Sequence, residues 1–174
     1  MLGLRRGTLA FAEPHPGWAK AFDVEATLIR TALSDLTLEI EHIGSTAVPG
    51  LMAKPILDIG MAADLSVFPI IAEVLGGLGY IDRGERSGRL FIRTRRGEVR
   101  THNLHLYPTG STEFEAQLLF RDALRGNADL RDRYTAEKLR IFEENGGRRA
   151  GYAEAKTEFI DAVLASLRGG SSPH

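Results

Sequence analysis

The sequence predicts an α+β domain: a mixed, mostly antiparallel sheet with helices packed on it. Three observations carry that reading. Segments between residues 37 and 107 alternate apolar and polar residues or run short and apolar, as strands do. Helically spaced apolar residues precede them, interrupt them once, and fill most of the chain after residue 112. Glycine and proline punctuate the boundaries, and the order is neither strictly alternating nor all-helical.

The elements follow in order. Pro16 stands where a helix opens without needing an N–H donor, and Trp18, Phe22, Ile29 and Leu33 mark one face of a helix ending near Ser34. TLEIEHI (37–43) alternates and reads as a strand. GSTAVPG is a turn, and PILDIGM (55–61) reads as a second, largely buried strand. Ser66 is placed to cap a short helix through Val67, Ile70, Ile71, Val74 and Leu75, which GGLGY breaks. Residues 80–81, 89–94 and 98–107 read as further strands, with RRG at 95–97 as the tight turn between the last two. Thr112 and Glu115 have capping-box spacing and open a helix to about Arg125. Gly126-Asn127 and NGGRR then separate a second helix, to about Glu144, from a third between about Arg149 and Leu167. One domain over 1–168 is expected, with 169–174 as a disordered tail.

Composition excludes several classes. Hydrophobic residues at 43% and charged residues at 26% are ordinary for a soluble globular chain. There is no cysteine, so disulfides and thiolate metal sites are out, in keeping with a cytoplasmic setting. The apolar runs are too short to span a bilayer, and residues 1–14 lack a signal-peptide core. A net charge of -1 argues against broad nucleic-acid binding. Arginines 83, 86, 89, 93, 95, 96 and 100 are a local exception, read either as a solvated hairpin or as a phosphate-binding rim.

Four features carry candidate chemistry. The small-residue turn Gly44-Ser45-Thr46 follows a strand, where a glycine admits an anion close to the backbone and a serine adds a donor. No Gly-Lys-Ser/Thr follows, so it is not a P-loop. Asp58 sits between isoleucines in a strand; a carboxylate there needs a partner, hydrogen bonds or a metal. Alternation puts Asp58 with Ile56 and Gly60 on one face, and Leu57, Ile59 and Met61 on the other. In THNLHLYP, Asn103, His105 and Tyr107 share one face. If Leu104 and Leu106 face the core, His105 faces a cleft, as a metal ligand or a proton-transfer group. His42 precedes the turn and is placed to reach the same site. Lys156 interrupts the apolar stripe Tyr152, Phe159, Ile160, Val163, Leu164 and Leu167, and Arg121 continues that of Phe114 and Leu118. Such cations either snorkel to water or, joined by Lys54, point into a shared cleft for an anion.

HIGSTAVPGLMAKPILDI, NLHLYP, FRDALR and GYAEAKTEFI together resemble the GrpB family of small bacterial proteins, over nearly the whole chain. The family is similar to the nucleotidyltransferase superfamily. That implies a Gly-Ser turn for the triphosphate (Gly44, Ser45), an Asp-x-Asp pair holding two divalent metals, magnesium or manganese, and a third carboxylate from a later strand. Asp58 matches the first acid, but residue 60 is Gly, and Asn103 or His105 lies where the third is expected. The resemblance therefore implies a protein that binds a nucleotide or phosphorylated small molecule. Asp58 and His105 are its catalytic and metal-holding candidates; Gly44, Ser45, Thr46, Lys54, Arg121 and Lys156 are its phosphate contacts. The alternative it implies is a non-catalytic accessory, linked to coenzyme A synthesis or to folding. Some members are fused to dephospho-CoA kinase, which makes such a kinase the candidate partner.

Overall fold

A computed structural model describes residues 2–146 and 152–169. The first residue of the expected last helix, Arg149, and residues 170–174 of the expected tail lie outside them.

The chain begins with a short strand β1 (Leu4–Arg5), then helix α1 (Gly17–Ala32), strand β2 (Glu39–Ile43), a 3-10 turn (Ser45–Ala47) and strand β3 (Leu57–Ala63). Helix α2 (Phe68–Gly77) leads to the meander β4 (Tyr80–Arg86), β5 (Gly88–Arg95) and β6 (Val99–Pro108). Helices α3 (Thr112–Gly126), α4 (Ala128–Glu144) and α5 (Tyr152–Gly169) complete the fold. The sheet order is β2-β3-β6-β5-β4. Among the described residues only β3 and β6 run parallel; the other pairs are antiparallel, β1 included, which covers the start of β6. The predicted α+β class and mostly antiparallel sheet are therefore what the chain forms.

Local differences have local causes. β4 runs to Arg86 rather than stopping at Ile81. It is an edge strand, exposed after Tyr80 and bulged between Asp82 and Glu85, so it lacks the buried alternation that marks a strand in sequence. β1 is too short to carry any period. Ser66 caps nothing: Asp64 caps a 3-10 turn (Leu65–Val67) that leads into α2, its carboxylate accepting the Ser66 N–H at 2.8 Å, and α2 itself starts without a side-chain cap. The cap of α3 is Ser111, one residue before Thr112, with its hydroxyl accepting the Phe114 N–H at 3.3 Å. The turn between β5 and β6 falls at residues 96–98 rather than 95–97: Arg95 pairs with Val99, and Arg96 and Gly97 inside the loop have positive φ, 54° and 75°.

The two faces of the sheet differ. On one, Ile59, Met61, Phe91, Leu104 and Leu106 pack against Ile29 of α1 and Ile71 and Leu75 of α2, forming the main apolar core. On the other, helices α3, α4 and α5 pack together through Phe120, Leu124, Leu130, Tyr134 and Leu164, with Val48 and Leu51 of the loop before β3. This second assembly stands off part of the sheet, and the space between is the cleft described next.

Candidate functional site

Parallel pairing of β3 with β6 sets Asp58 beside Asn103 and Gly60 beside His105. All four sit on the face opposite the main core, because Leu104 and Leu106 face α1 and α2. Asp58, Asn103 and His105 floor a cavity of about 400 Å³ whose roof comes from α3, α4 and α5, while Phe114 covers Gly60. Of the predicted site residues, all but His42 line the cavity: Gly44, Ser45, Thr46, Lys54, Asp58, His105, Arg121 and Lys156. A wider hollow of about 540 Å³ near the start of α1, between Trp18 and Arg93, is lined by none of them.

The turn is built around Asp58. Gly44 has φ 69°, a conformation that disfavours a side chain, and a Cβ there would come within 2.7 Å of Asp58 Oδ2. The Asp58 carboxylate thus rests on bare backbone. Its other oxygen accepts an N–H from Asn103 Nδ2 at 2.8 Å. Arg100, 3.5 Å from Asn103 Oδ1, keeps the amide turned that way. Asp58 is half-buried rather than sealed among its isoleucines, because it opens on the cleft. Thr46 is buried; its hydroxyl bonds to His42 Nε2 at 3.0 Å and donates to the Ile56 carbonyl at 3.4 Å, tying the turn to the sheet.

His105 Nδ1 lies 2.7 Å from the Ser87 carbonyl. A carbonyl only accepts, so the proton is on Nδ1 and Nε2 carries the lone pair. His42 and His102 do not join the site. Their registry partners are Ile59 and Leu57, which puts them on the core face. His42 stacks on Phe22 with ring centroids 4.7 Å apart, and burial, aided by Arg125 and Arg121, lowers its pKa to about 4. His102 lies beside Arg93 and is likewise lowered to about 4, first by burial and then by that arginine. Arg93 itself forks onto Glu25 at 2.8 and 2.5 Å, and Tyr80 donates to the same carboxylate at 2.8 Å.

The cations divide into two kinds. Arg121 is neutralised: it pairs with Glu41 at 2.7 Å and Asp122 at 2.8 Å, and donates to the His42 carbonyl at 3.0 Å. The lysines are held differently. Lys54 Nζ lies 4.3 Å and Lys156 Nζ 5.9 Å from the centroid of Tyr152. Lys138, which the sequence reading missed, joins them. It is 2% exposed, donates to the Met52 carbonyl, and sits 4.8 Å from the Tyr134 centroid. Burial, then the charges of Lys156 and Lys54, lowers its pKa to about 7. The signal was there to read: Leu130, Tyr134, Lys138 and Ile141 form one buried stripe of α4, interrupted by a lysine just as α5 is by Lys156.

The residues do not fit a two-metal centre. A Cβ on Gly60 would lie inside contact distance of Phe114 Cε2, so the ring from α3 fills the place of a second acid. Asn103 presents an N–H to Asp58, where a metal needs an oxygen. Among the described residues no three His, Asp or Glu side chains converge as metal ligands.

A sheet of this topology, flanked by helices and carrying a glycine–serine turn beside a strand acid, defines a protein of the nucleotidyltransferase fold. Structural comparison agrees: the Cid1 poly(U) polymerase in its MgGTP-bound form matches with TM-score 0.51 at 15% identity, over 76% of this chain and 44% of that one. The family model described as GrpB protein matches residues 8–166, and the chain belongs to that family. A UPF0157 protein of Halalkalibacterium halodurans is 34% identical over 162 residues, covering 90% of this chain and 81% of its own. The crystal structure of the conserved protein GrpB from Enterococcus faecalis matches with TM-score 0.79 at 28% identity, over 90% and 96% of the two chains. A dephospho-CoA kinase of Mycobacterium bovis is 27% identical over 91% of this chain, which spans only 46% of that protein. No helix among the described residues is long and apolar enough to cross a membrane.

Proposed function

We propose that this protein binds a nucleotide or another phosphorylated small molecule in the cleft between the sheet and helices α3–α5, as a binding module rather than a two-metal transferase. One observation carries the reading: the Gly44-Ser45 turn, Asp58 and three lysines line a single cavity. Small polar groups and clustered cations are what phosphate oxygens need, and the aromatic walls suit a base or a similar planar group. The cysteine-free sequence fits a cytoplasmic site of action. The kinase likeness adds coenzyme A to the ligands worth testing, and a dephospho-CoA kinase to the partners.

The test is calorimetric and thermal-shift titration of the full chain with ATP, CTP, GTP and coenzyme A, each with magnesium, with manganese and with chelator. Binding raises apparent stability by mass action, so weak ligands register at high concentration. Saturable binding that Ser45→Ala and Lys156→Gln weaken is expected. Failure of every ligand under every condition rejects the reading.

A second reading, a one-metal enzyme, draws on His105. Its Nδ1–H is committed to a carbonyl, as in many metal-bound histidines, and Nε2 remains a competent ligand or base on the same cleft as Asp58. Metal-dependent turnover of a nucleotide, lost in both Asp58→Ala and His105→Ala, would favour it over the binding module.

A further inference from the structure

We infer that the cleft takes a chain of two or more phosphates in its metal-free form, with Lys54, Lys138 and Lys156 supplying the charge that the two-metal scheme assigns to divalent ions. The inference rests on the ligand class proposed above and adds how that ligand is neutralised.

The three lysines come from separate parts of the chain: the loop before β3, the middle of α4 and the first turns of α5. Folding brings like charges together, which is unfavourable unless something offsets it. Ring faces supply part of the offset. Tyr152 holds the ammonium groups of Lys54 and Lys156, and Tyr134 and Phe11 hold that of Lys138. A ring face attracts a cation without cancelling its charge. Among the described residues, no carboxylate forms an ion pair with Lys138 or Lys156. By contrast, Arg121 in the same cleft is matched by Glu41 and Asp122. The cavity therefore keeps positive charge at Lys138 and Lys156, which a ligand with several negative charges offsets.

The same features disfavour a divalent cation. The lysines repel it, Asn103 caps one oxygen of Asp58, and Phe114 occupies the ground beside Gly60. Magnesium in solution then competes with the lysines for the phosphates. Lys138 adds a second signature. Burial and its two lysine neighbours leave it half-protonated near neutral pH, with a pKa of about 7. An arriving polyanion reverses that balance, so binding above neutrality draws in a proton.

The experiment uses pyrophosphate and tripolyphosphate as probes, with orthophosphate, ATP and coenzyme A alongside. Titrations on the full chain are run at pH 6.5 and 8.5, in chelator and in excess magnesium, and in buffers of different ionisation enthalpy. Pyrophosphate and tripolyphosphate are expected to bind in chelator at least tenfold more tightly than orthophosphate, and more weakly in excess magnesium. Affinity should fall severalfold or more between pH 6.5 and 8.5, with up to one proton taken up at the higher pH. Lys54→Gln and Lys156→Gln, both at half-buried positions, should each cut affinity about tenfold without lowering Tm, even if Lys138→Met fails to fold. Binding of ATP or pyrophosphate only when metal is present overturns this inference and leaves the phosphorylated-ligand reading standing. So does orthophosphate binding as tightly as pyrophosphate. No binding by any probe, with or without metal, overturns both.

Discussion

The two faces of one sheet treat polar groups in opposite ways. On the α1–α2 face, the buried carboxylate and both imidazoles are matched: Glu25 by Arg93 and Tyr80, His42 by Thr46, His102 by Thr101. There burial holds two histidines neutral at ordinary pH. On the α3–α5 face, the groups surround a cavity: an aspartate touched by one amide, a histidine with an open nitrogen, and lysines resting on rings. A face built only for stability would not gather like charges. The contrast separates what maintains the fold from what is available to a ligand, without reference to any relative.

Substitutions can break or sharpen that contrast. The largest effect is expected on the α1–α2 face, where Leu104→Ala removes a fully buried side chain from the main core. A loss of about 2–5 kcal/mol should appear in denaturant unfolding. Next comes Gly60→Asp, which restores the superfamily's second acid on the cleft face and drives it into Phe114. Overpacking and a buried carboxylate should together lower stability by about 3 kcal/mol. Adding Phe114→Ala should recover part of that loss; no recovery would mean the ring is not what closes the position.

The histidines give a pH signature. Their folded pKa values, about 4, lie below the ordinary 6.5, so the unfolded chain binds more protons between those limits. Stability should be undiminished above pH 6.5 and fall as pH drops towards 4, by on the order of 2–3 kcal/mol for each histidine. Thermal unfolding of His42→Gln and His102→Gln across that window should show a shallower fall than wild type.

Lys138 works in the same direction in a higher window. Its folded pKa of about 7 lies below the ordinary 10.5, so the unfolded chain again holds more protons between the two. Stability should rise from pH 7 towards 10. Lys138→Met should flatten that rise, while leaving the Met52 carbonyl without its donor at a cost of about 1 kcal/mol. Smallest is Ser45→Ala, at a half-buried turn position, where a change within about 0.5 kcal/mol is expected. A large loss of stability in Ser45→Ala would mark the turn as structural and blur the difference between the faces.

Much of this site was legible beforehand. Alternation grouped the residues within each strand, and the leucines flanking His105 marked the core face on the condition that they pack inward, which they do; the parallel register of β3 and β6 then puts Asp58 and His105 on one face. Lys156 stood out as a cation on an apolar stripe, and Lys138 carried the same mark on a weaker stripe. Arg121 carried that mark too. Its carboxylate partner Glu41 lies far away in the chain, and no local pattern announces it. The caps of α3 and of the 3-10 turn before α2 were misplaced by one or two residues, since a cap depends on which side chain reaches an N–H rather than on composition.

By itself, the sequence determined the order of the longer elements, which strand residues share a face, and the run of motifs that places the chain in its family, because these follow from the periods of the backbone and from residue identity; which face is open was decided by the packing of the helices. Only the tertiary structure decided that α3 brings Phe114 onto Gly60, that Lys138 meets Lys54 and Lys156, and that Asn103 turns its N–H toward Asp58. Those outcomes depend on contacts between residues distant in the chain. They arise from the way three helices pack over the sheet, which no local period encodes.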